Sequence, residues 1–177
     1  MNQAAGKTRL RISFLMLGLA AAALVIVYAT VGLLDAWRAS EQTPRLAADS
    51  LVKALRAHHQ QTGRFPTDFH ELEARVWKHK KSPDFGADGR SLIVANYYYL
   101  YHPVNTQACT IWIVPTGPRR EEASTHFLLL APANLRRWKG APLSLDEVRK
   151  LPPAPSYAEM AVLGMTEQQQ IVLGRRR

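Results

Sequence analysis

The chain has 177 residues, of which 47% are hydrophobic and 21% charged, an ordinary composition for one globular domain with an additional segment. Its formal net charge of +9 is unevenly distributed, because residues 1–11 hold three basic side chains and no acid, and residues 12–34 hold no charge. The single cysteine, Cys109, excludes an internal disulfide, and no Cys-x-x-Cys-His motif is present for covalent haem attachment. The domain must therefore be stabilised by its hydrophobic core.

The uncharged segment 12–34 predicts a transmembrane helix. Its 23 residues would span ~34 Å at ~1.5 Å per residue, enough to cross a hydrocarbon core of ~30 Å. The alternatives are a buried core helix and a cleaved signal peptide, whose apolar region is shorter and ends in a small-residue cleavage site. Lys7, Arg9 and Arg11 precede the segment and favour a cytoplasmic N-terminus. We therefore expect a single-pass protein of the bacterial inner membrane, with residues 35–177 as an exported, periplasmic domain.

Past this segment, the sequence predicts an α+β domain that begins with an amphipathic helix. Thr43 and Pro44 mark the helix start, because Thr caps helices and Pro fits the first turn, and Gly63 marks its end. An apolar stripe at helical spacing comprises Leu46, Ala47, Leu51, Val52, Ala54 and Leu55. Asp68 and Glu71 have the spacing of a capping box, which predicts a second short helix.

Three runs rich in β-branched and aromatic residues follow, and they predict strands at 92–101, 109–115 and 125–131. Short turn-rich links separate these runs, so the expected topology is a three-stranded antiparallel meander with one face packed on the preceding helix. Three short C-terminal helices are predicted from pairs with capping-box spacing: Ser144 with Glu147, Ser156 with Glu159, and Thr166 with Gln169.

One local motif joins the first helix to the second. Paired aliphatic residues lead into a Gly-x-aromatic-Pro-Thr turn and a short helix, at Leu51, Leu55, Gly63, Arg64, Phe65, Pro66, Thr67 and Leu72. With the basic tip, the apolar segment and the predicted sheet, residues 7–77 resemble type IV pilins, and most closely the major pseudopilins of type II secretion. The resemblance implies a membrane-embedded helix that carries a small antiparallel sheet. No prepilin cleavage pattern follows Gly6 and the apolar segment has no Glu, so we expect pilin-like architecture without pilin processing.

The histidines are the densest group of side chains that could carry chemistry. His58 and His59 are adjacent, with His70 and His79 downstream. Adjacent helical side chains point about 100° apart, so His58 and His59 cannot share a metal ion as an i, i+4 pair can. Cys109 lies in a predicted strand, where a buried small hydrophobic residue is expected. We therefore expect no metal, no cofactor and no enzymatic activity.

Tyrosines and basic clusters are the candidate interface residues. Three tyrosines alternate along one strand, so they share a face that is either a contact surface or cross-strand packing within the domain. The candidates are Tyr97, Tyr99, Tyr101, Arg136, Arg137, Trp138 and Lys139. Further basic residues lie at 78–81 and 175–177. Because an anchor is predicted, the expected partners are membrane lipid and other subunits of a membrane protein complex, with no nucleic acid expected.

Three functional hypotheses follow from these features. The first is a non-enzymatic, membrane-anchored subunit that docks on or stabilises a larger membrane complex. That complex could be a secretion or pilus machine or an energy-converting assembly such as a respiratory or photosynthetic one. The second is a pseudopilin-like subunit of a type II secretion or type IV pilus filament. The third is an anchored metal-binding or enzymatic domain that uses the histidines.

Overall fold

The computed structural model describes residues 44–77, 85–94, 96–118 and 120–172. All of them belong to one compact unit, Ser40–Arg177. The predicted basic tip 1–11, the predicted transmembrane segment 12–34 and the basic clusters at 78–81 and 175–177 lie outside the described residues. Among the residues that the structure describes, no helix combines the length and apolar character that a membrane span requires.

Within the described residues, helix α1 covers 44–62 and ends at Gly63, as the sequence predicts. Gly63 has φ of +76°, a left-handed conformation that glycine adopts readily at helix ends. The buried face of α1 comprises Ala48, Leu51, Val52, Ala54 and Leu55. The inclusion of Leu46 in this stripe was wrong, because its side chain is 66% exposed. Leu46 lies two residues, or about 200°, from Ala48 and so points away from the core.

A short helix, α2, spans Phe69–Leu72 and continues into a π-helical turn at Glu73–Trp77. Asp68 caps α2, because its carboxylate accepts a hydrogen bond from the Glu71 N–H at 2.9 Å. The Glu71 carboxylate accepts from the Thr67 N–H at 3.0 Å. Glu71 therefore secures the turn that precedes α2, in addition to occupying the capping position that the sequence predicts.

Six strands form one antiparallel sheet in chain order. They are β1 Ser91–Val94, β2 Tyr97–Asn105, β3 Ala108–Pro115, β4 Thr125–Leu130, β5 Asn134–Gly140 and β6 Thr166–Val172. The α+β class and the antiparallel meander are confirmed, but the prediction of three strands was wrong. The predicted strand 92–101 is divided into two by a turn at Asn96. The predicted third C-terminal helix is wrong as well, because Thr166 begins β6, which pairs with β5.

Three short helical segments connect the later strands. A 3₁₀ turn at Arg120–Glu122 lies between β3 and β4, while α3, Leu145–Arg149, and α4, Tyr157–Val162, lie between β5 and β6. Both α-helices begin with complete capping boxes, formed by Ser144 with Glu147 and by Ser156 with Glu159. These two predicted helices are confirmed.

The sheet is covered on both faces. Helices α1 and α2 pack on one face, against side chains that include Tyr99, Tyr101, Ile111, Ile113 and Leu128. The segments around α3 and α4 pack on the other face, with Trp112, Phe127, Trp138, Val148 and Met160. Residues 109–115 of β3 are all buried, because this strand is enclosed from both sides. Cys109 is among them, as the sequence predicts.

Candidate functional site

One row of side chains crosses the sheet at the end where α1 begins. The strand register places Tyr99, Ile113, His126 and Lys139 opposite one another on four adjacent strands. Directly opposed residues share a face of an antiparallel sheet, so the row lies beneath α1. The Tyr99 hydroxyl donates a hydrogen bond to the Pro44 carbonyl at 3.2 Å. This bond ties the first described turn of α1 to the sheet.

A pocket of about 400 Å³ opens between this turn of α1 and strands β3 to β6. Its polar lining includes Arg45 from α1, His126 from β4, and Arg137 and Lys139 from β5. The remaining lining is mainly apolar and includes Pro44, Ala48, Ile113 and Leu128. The described lining contains basic side chains and no acid. We call this cavity the basic pocket.

Arg137 is a largely enclosed basic side chain at the basic pocket. One terminal nitrogen pairs with the Asp49 carboxylate on α1, and the Arg137 side chain is only 18% exposed. Its Nε is buried and has no hydrogen-bond partner among the described residues. Buried guanidinium donors are normally satisfied, so this Nε is an exception within the described part of the chain.

Arg136, the neighbour of Arg137, lies on the opposite face of the sheet. Its Nε and Nη2 each donate to the Glu167 carboxylate at 2.8 Å. Its guanidinium also lies 4.7 Å from the ring centroid of Tyr157 and 5.1 Å from that of Trp138. The structure therefore divides the predicted basic cluster, since Arg137 and Lys139 line the pocket and Arg136 is paired within the domain. Trp138 is largely buried.

The candidate tyrosines are buried in the core. Tyr97, Tyr99 and Tyr101 are 3%, 1% and 0% exposed, and they belong to the core between the sheet and helices α1 and α2. Burial raises the pKa of Tyr99 and of Tyr101 well above the usual value of a phenol. Of the two interpretations that the sequence leaves open, packing within the domain is the one that this burial supports.

A second polar cluster surrounds the turn between α1 and α2. The Glu71 carboxylate pairs with the Arg64 guanidinium, and its Oε1 lies 3.4 Å from Nε2 of the fully buried His58. On its other side, His58 Nδ1 lies 3.1 Å from the Arg64 carbonyl. The Tyr101 hydroxyl donates to the Pro66 carbonyl at 2.6 Å. These contacts hold the turn against the end of α1.

Glu71 is ionised more readily than an ordinary glutamate. Burial raises its pKa, but this effect is outweighed by the Thr67 N–H hydrogen bond and by the hydrogen bonds and charge of Arg64, with a further electrostatic contribution from His58. The pKa of Glu71 consequently lies below its usual 4.5. The carboxylate therefore acts as a negatively charged centre that organises the turn.

The histidines contact different parts of the domain. His58 is bound to the turn, His59 Nε2 lies 3.0 Å from the Gln107 side chain, and His70 packs edge-on against the Phe85 ring. Among the described residues, no group of three or more His, Cys, Asp or Glu side chains is placed to hold a metal ion. His79 lies outside these residues.

Two members of the basic pocket were missed by the sequence reasoning. Arg45 and His126 lie far apart in the chain and belong to no basic cluster, and only the packing of α1 on the sheet brings them together. For Arg137 and Lys139, in contrast, a signal was available, because residues two positions apart lie on one face of a strand.

The chain was also compared with known proteins. No protein-family model matches it, and no curated protein or solved structure matches it at a significant level. The resemblance of residues 7–77 to pilins and pseudopilins stays a prediction. Function is therefore argued from the residues themselves.

Proposed function

We propose that this protein is a membrane-anchored, non-enzymatic subunit that docks on or stabilises a larger membrane protein complex. In this proposal, segment 12–34 spans the bacterial inner membrane, the N-terminus is cytoplasmic and the domain lies on the periplasmic side. The complex would be a secretion or pilus machine or an energy-converting assembly. One observation carries the proposal: an uncharged run of 23 residues is followed after nine residues by a helix packed on the domain's sheet.

The contacts of α1 support a role in positioning. Its first described turn is tied to the sheet by Tyr99 at Pro44, and Asp49 pairs with Arg137 about one turn further along. Its end is held by His58, which contacts the turn after the helix. A helix fixed at several points keeps a defined position on the sheet of the domain.

The roles of the polar side chains also favour interaction over catalysis. A histidine next to a glutamate is a common arrangement in enzymes. Here His58 is fully buried, and Glu71 is bound to Arg64 and Thr67. Both side chains therefore stabilise a turn, and the basic side chains that line the pocket, of which Arg45 is exposed, are better placed to meet a partner.

A pseudopilin-like filament subunit is the second candidate, favoured by the way the Gly-x-aromatic-Pro turn is built. Phe65 and Pro66 are buried, the Phe65 N–H donates to the Thr106 carbonyl at 3.0 Å, and Tyr101 binds Pro66. The motif that carries the pilin resemblance is thus a structural element of the domain. Intact-mass analysis separates the candidates, because a pseudopilin would be cleaved near Gly6, whereas retention of residues 1–6 would exclude that processing.

Purification in a mild detergent tests the main proposal. The full-length chain, expressed from its own locus with a C-terminal tag, should elute together with a defined large complex. The same extract treated with a stringent detergent, which separates subunits, is the control. Elution of a lone monomer under mild conditions would contradict a role as a subunit.

A further inference from the structure

We infer that the basic pocket binds the anionic headgroup of an acidic phospholipid, with the adjoining part of the lipid on its apolar lining. This inference deepens the proposed function and rests on it, because the lipid source depends on the chain being membrane-anchored. Neither the pilin resemblance nor the sequence motifs assign a ligand to this cavity.

The charge of the pocket favours an anion as its ligand. Three basic side chains, Arg45, Arg137 and Lys139, line the pocket, and Arg137 pairs with the Asp49 carboxylate. Guanidinium groups match phosphate oxygens in geometry and form charge-assisted hydrogen bonds with them. Two such groups, those of Arg45 and Arg137, line the pocket.

The apolar lining favours an amphiphilic anion, one with a hydrocarbon part, over a free inorganic ion. Ala48, Ile113 and Leu128 lie beside the basic side chains. A free inorganic anion would leave these surfaces in contact with water, while a lipid would cover them. The volume of about 400 Å³ also falls within the range of small-molecule sites and exceeds the need of a single phosphate group.

The position of the pocket favours a lipid source. Pro44 and Arg45 line it, and residue 44 lies ten positions after the last residue of segment 12–34. A fully extended chain covers at most ~3.3–3.6 Å per residue, so the connection reaches no further than ~35 Å. An anchored chain therefore keeps the pocket within reach of the headgroup region, where acidic lipids attract basic residues.

Native mass spectrometry of the full-length chain, released from a neutral detergent, tests the inference. The probes are dioctanoyl phosphatidylglycerol, dioctanoyl phosphatidylcholine and inorganic phosphate at equal concentrations. We expect one phosphatidylglycerol molecule per chain and much weaker retention of the other two probes. Arg45→Gln should lower phosphatidylglycerol binding about 3- to 5-fold, as expected for one partly exposed charge, and Arg45→Lys should restore most of it.

Arg120→Gln is the matched control, because Arg120 is exposed in the turn between β3 and β4 and does not line the pocket. Its lipid binding should equal that of the unmodified chain. Equal binding of both lipids, or no effect of Arg45→Gln, would overturn the inference. Phosphate binding that matches lipid binding and falls equally in Arg45→Gln would assign the site to a free anion and overturn the lipid source. Because all probes are added in detergent, these outcomes are read independently of whether the chain is anchored or joins a complex.

Discussion

Replacing Glu71 by Gln removes the negative charge at the centre of the turn between α1 and α2 while nearly preserving the side-chain shape. In the structure, the two carboxylate oxygens contact Arg64, Thr67 and His58. The Gln amide can accept from only one side, and its NH₂ group faces donors that the carboxylate satisfied. The variant should therefore loosen the turn without altering the apolar core.

The expected loss of stability is moderate. Hydrogen bonds to a charged group contribute about 1.5–3 kcal/mol, but Arg64 is 41% exposed, so water replaces part of its interaction. We expect Glu71→Gln to lower the free energy of unfolding by about 1.5 kcal/mol at pH 7, with a decrease of about 5 °C in Tm for a domain of this size.

The effect should depend on pH in a defined direction. The pKa of folded Glu71 lies below its usual 4.5, so the folded state favours the ionised form. Its contribution is complete above the unfolded pKa and is lost as the pH falls through the folded pKa. The difference between Glu71→Gln and the unmodified chain should therefore be largest near neutral pH and shrink in acid.

Thermal unfolding of the full-length chain, followed by circular dichroism in neutral detergent at pH 7 and in acid, measures this difference. Glu122→Gln provides the control, because Glu122 is exposed in the 3₁₀ turn. It should leave Tm unchanged at pH 7. A Glu71→Gln effect that is the same at both pH values, or no larger than that of the control, would refute the role assigned to the carboxylate.

Three further substitutions probe the fold. Tyr101→Phe leaves the Pro66 carbonyl without its 2.6 Å hydrogen bond and should destabilise the domain by about 1–2 kcal/mol in urea unfolding. Trp112→Ala removes a large side chain that is 0% exposed and leaves a cavity in the core. It should lower the free energy of unfolding by about 3–5 kcal/mol, measured in the same way. Gly63→Ala meets no atom within 4 Å at φ +76°, so only backbone strain of about 1–2 kcal/mol should appear as a lower Tm.

Elements with local signals were predictable from the sequence. Gly63 ends α1 because one residue supplies the left-handed conformation, and Ser144 and Ser156 begin helices because each forms a capping box within four residues. Strand β5 lacks such a signal. Its buried residues Leu135 and Trp138 are three positions apart and lie on opposite faces, so neither face shows an apolar alternation.

The sequence analysis assigned the first and last strands wrongly, each for its own reason. Thr166 and Gln169 have the spacing of a capping box, but pairing with β5, a contact between distant parts of the chain, makes this segment a strand. The turn at Asn96 has none of the glycine pairs that mark tight hairpins, so β1 and β2 looked like one continuous strand.

The candidate site was predictable only in part. Arg137 and Lys139 belong to a basic cluster that the sequence singles out, but the strand that places them on one face was not predicted. Arg45 joins them only because α1 packs on the same face. The alternation of the three tyrosines along one strand correctly predicted that they share a face, but alternation alone does not tell which face of a sheet a helix will cover. Burial of Tyr97, Tyr99 and Tyr101 follows from the position of α1.

Membrane fractionation of cells that express the full-length chain tests the anchor most directly. The protein should sediment with membranes and stay there after extraction at alkaline pH, which strips peripheral proteins. A variant with Ala22→Arg and Leu24→Arg places two charges in the middle of segment 12–34 and should be released, because each charge costs about 2.5–3.5 kcal/mol at the centre of a spanning helix. Ala22→Leu should stay in the membrane. Recovery of the unmodified chain in the soluble fraction would contradict the anchor and the function built on it.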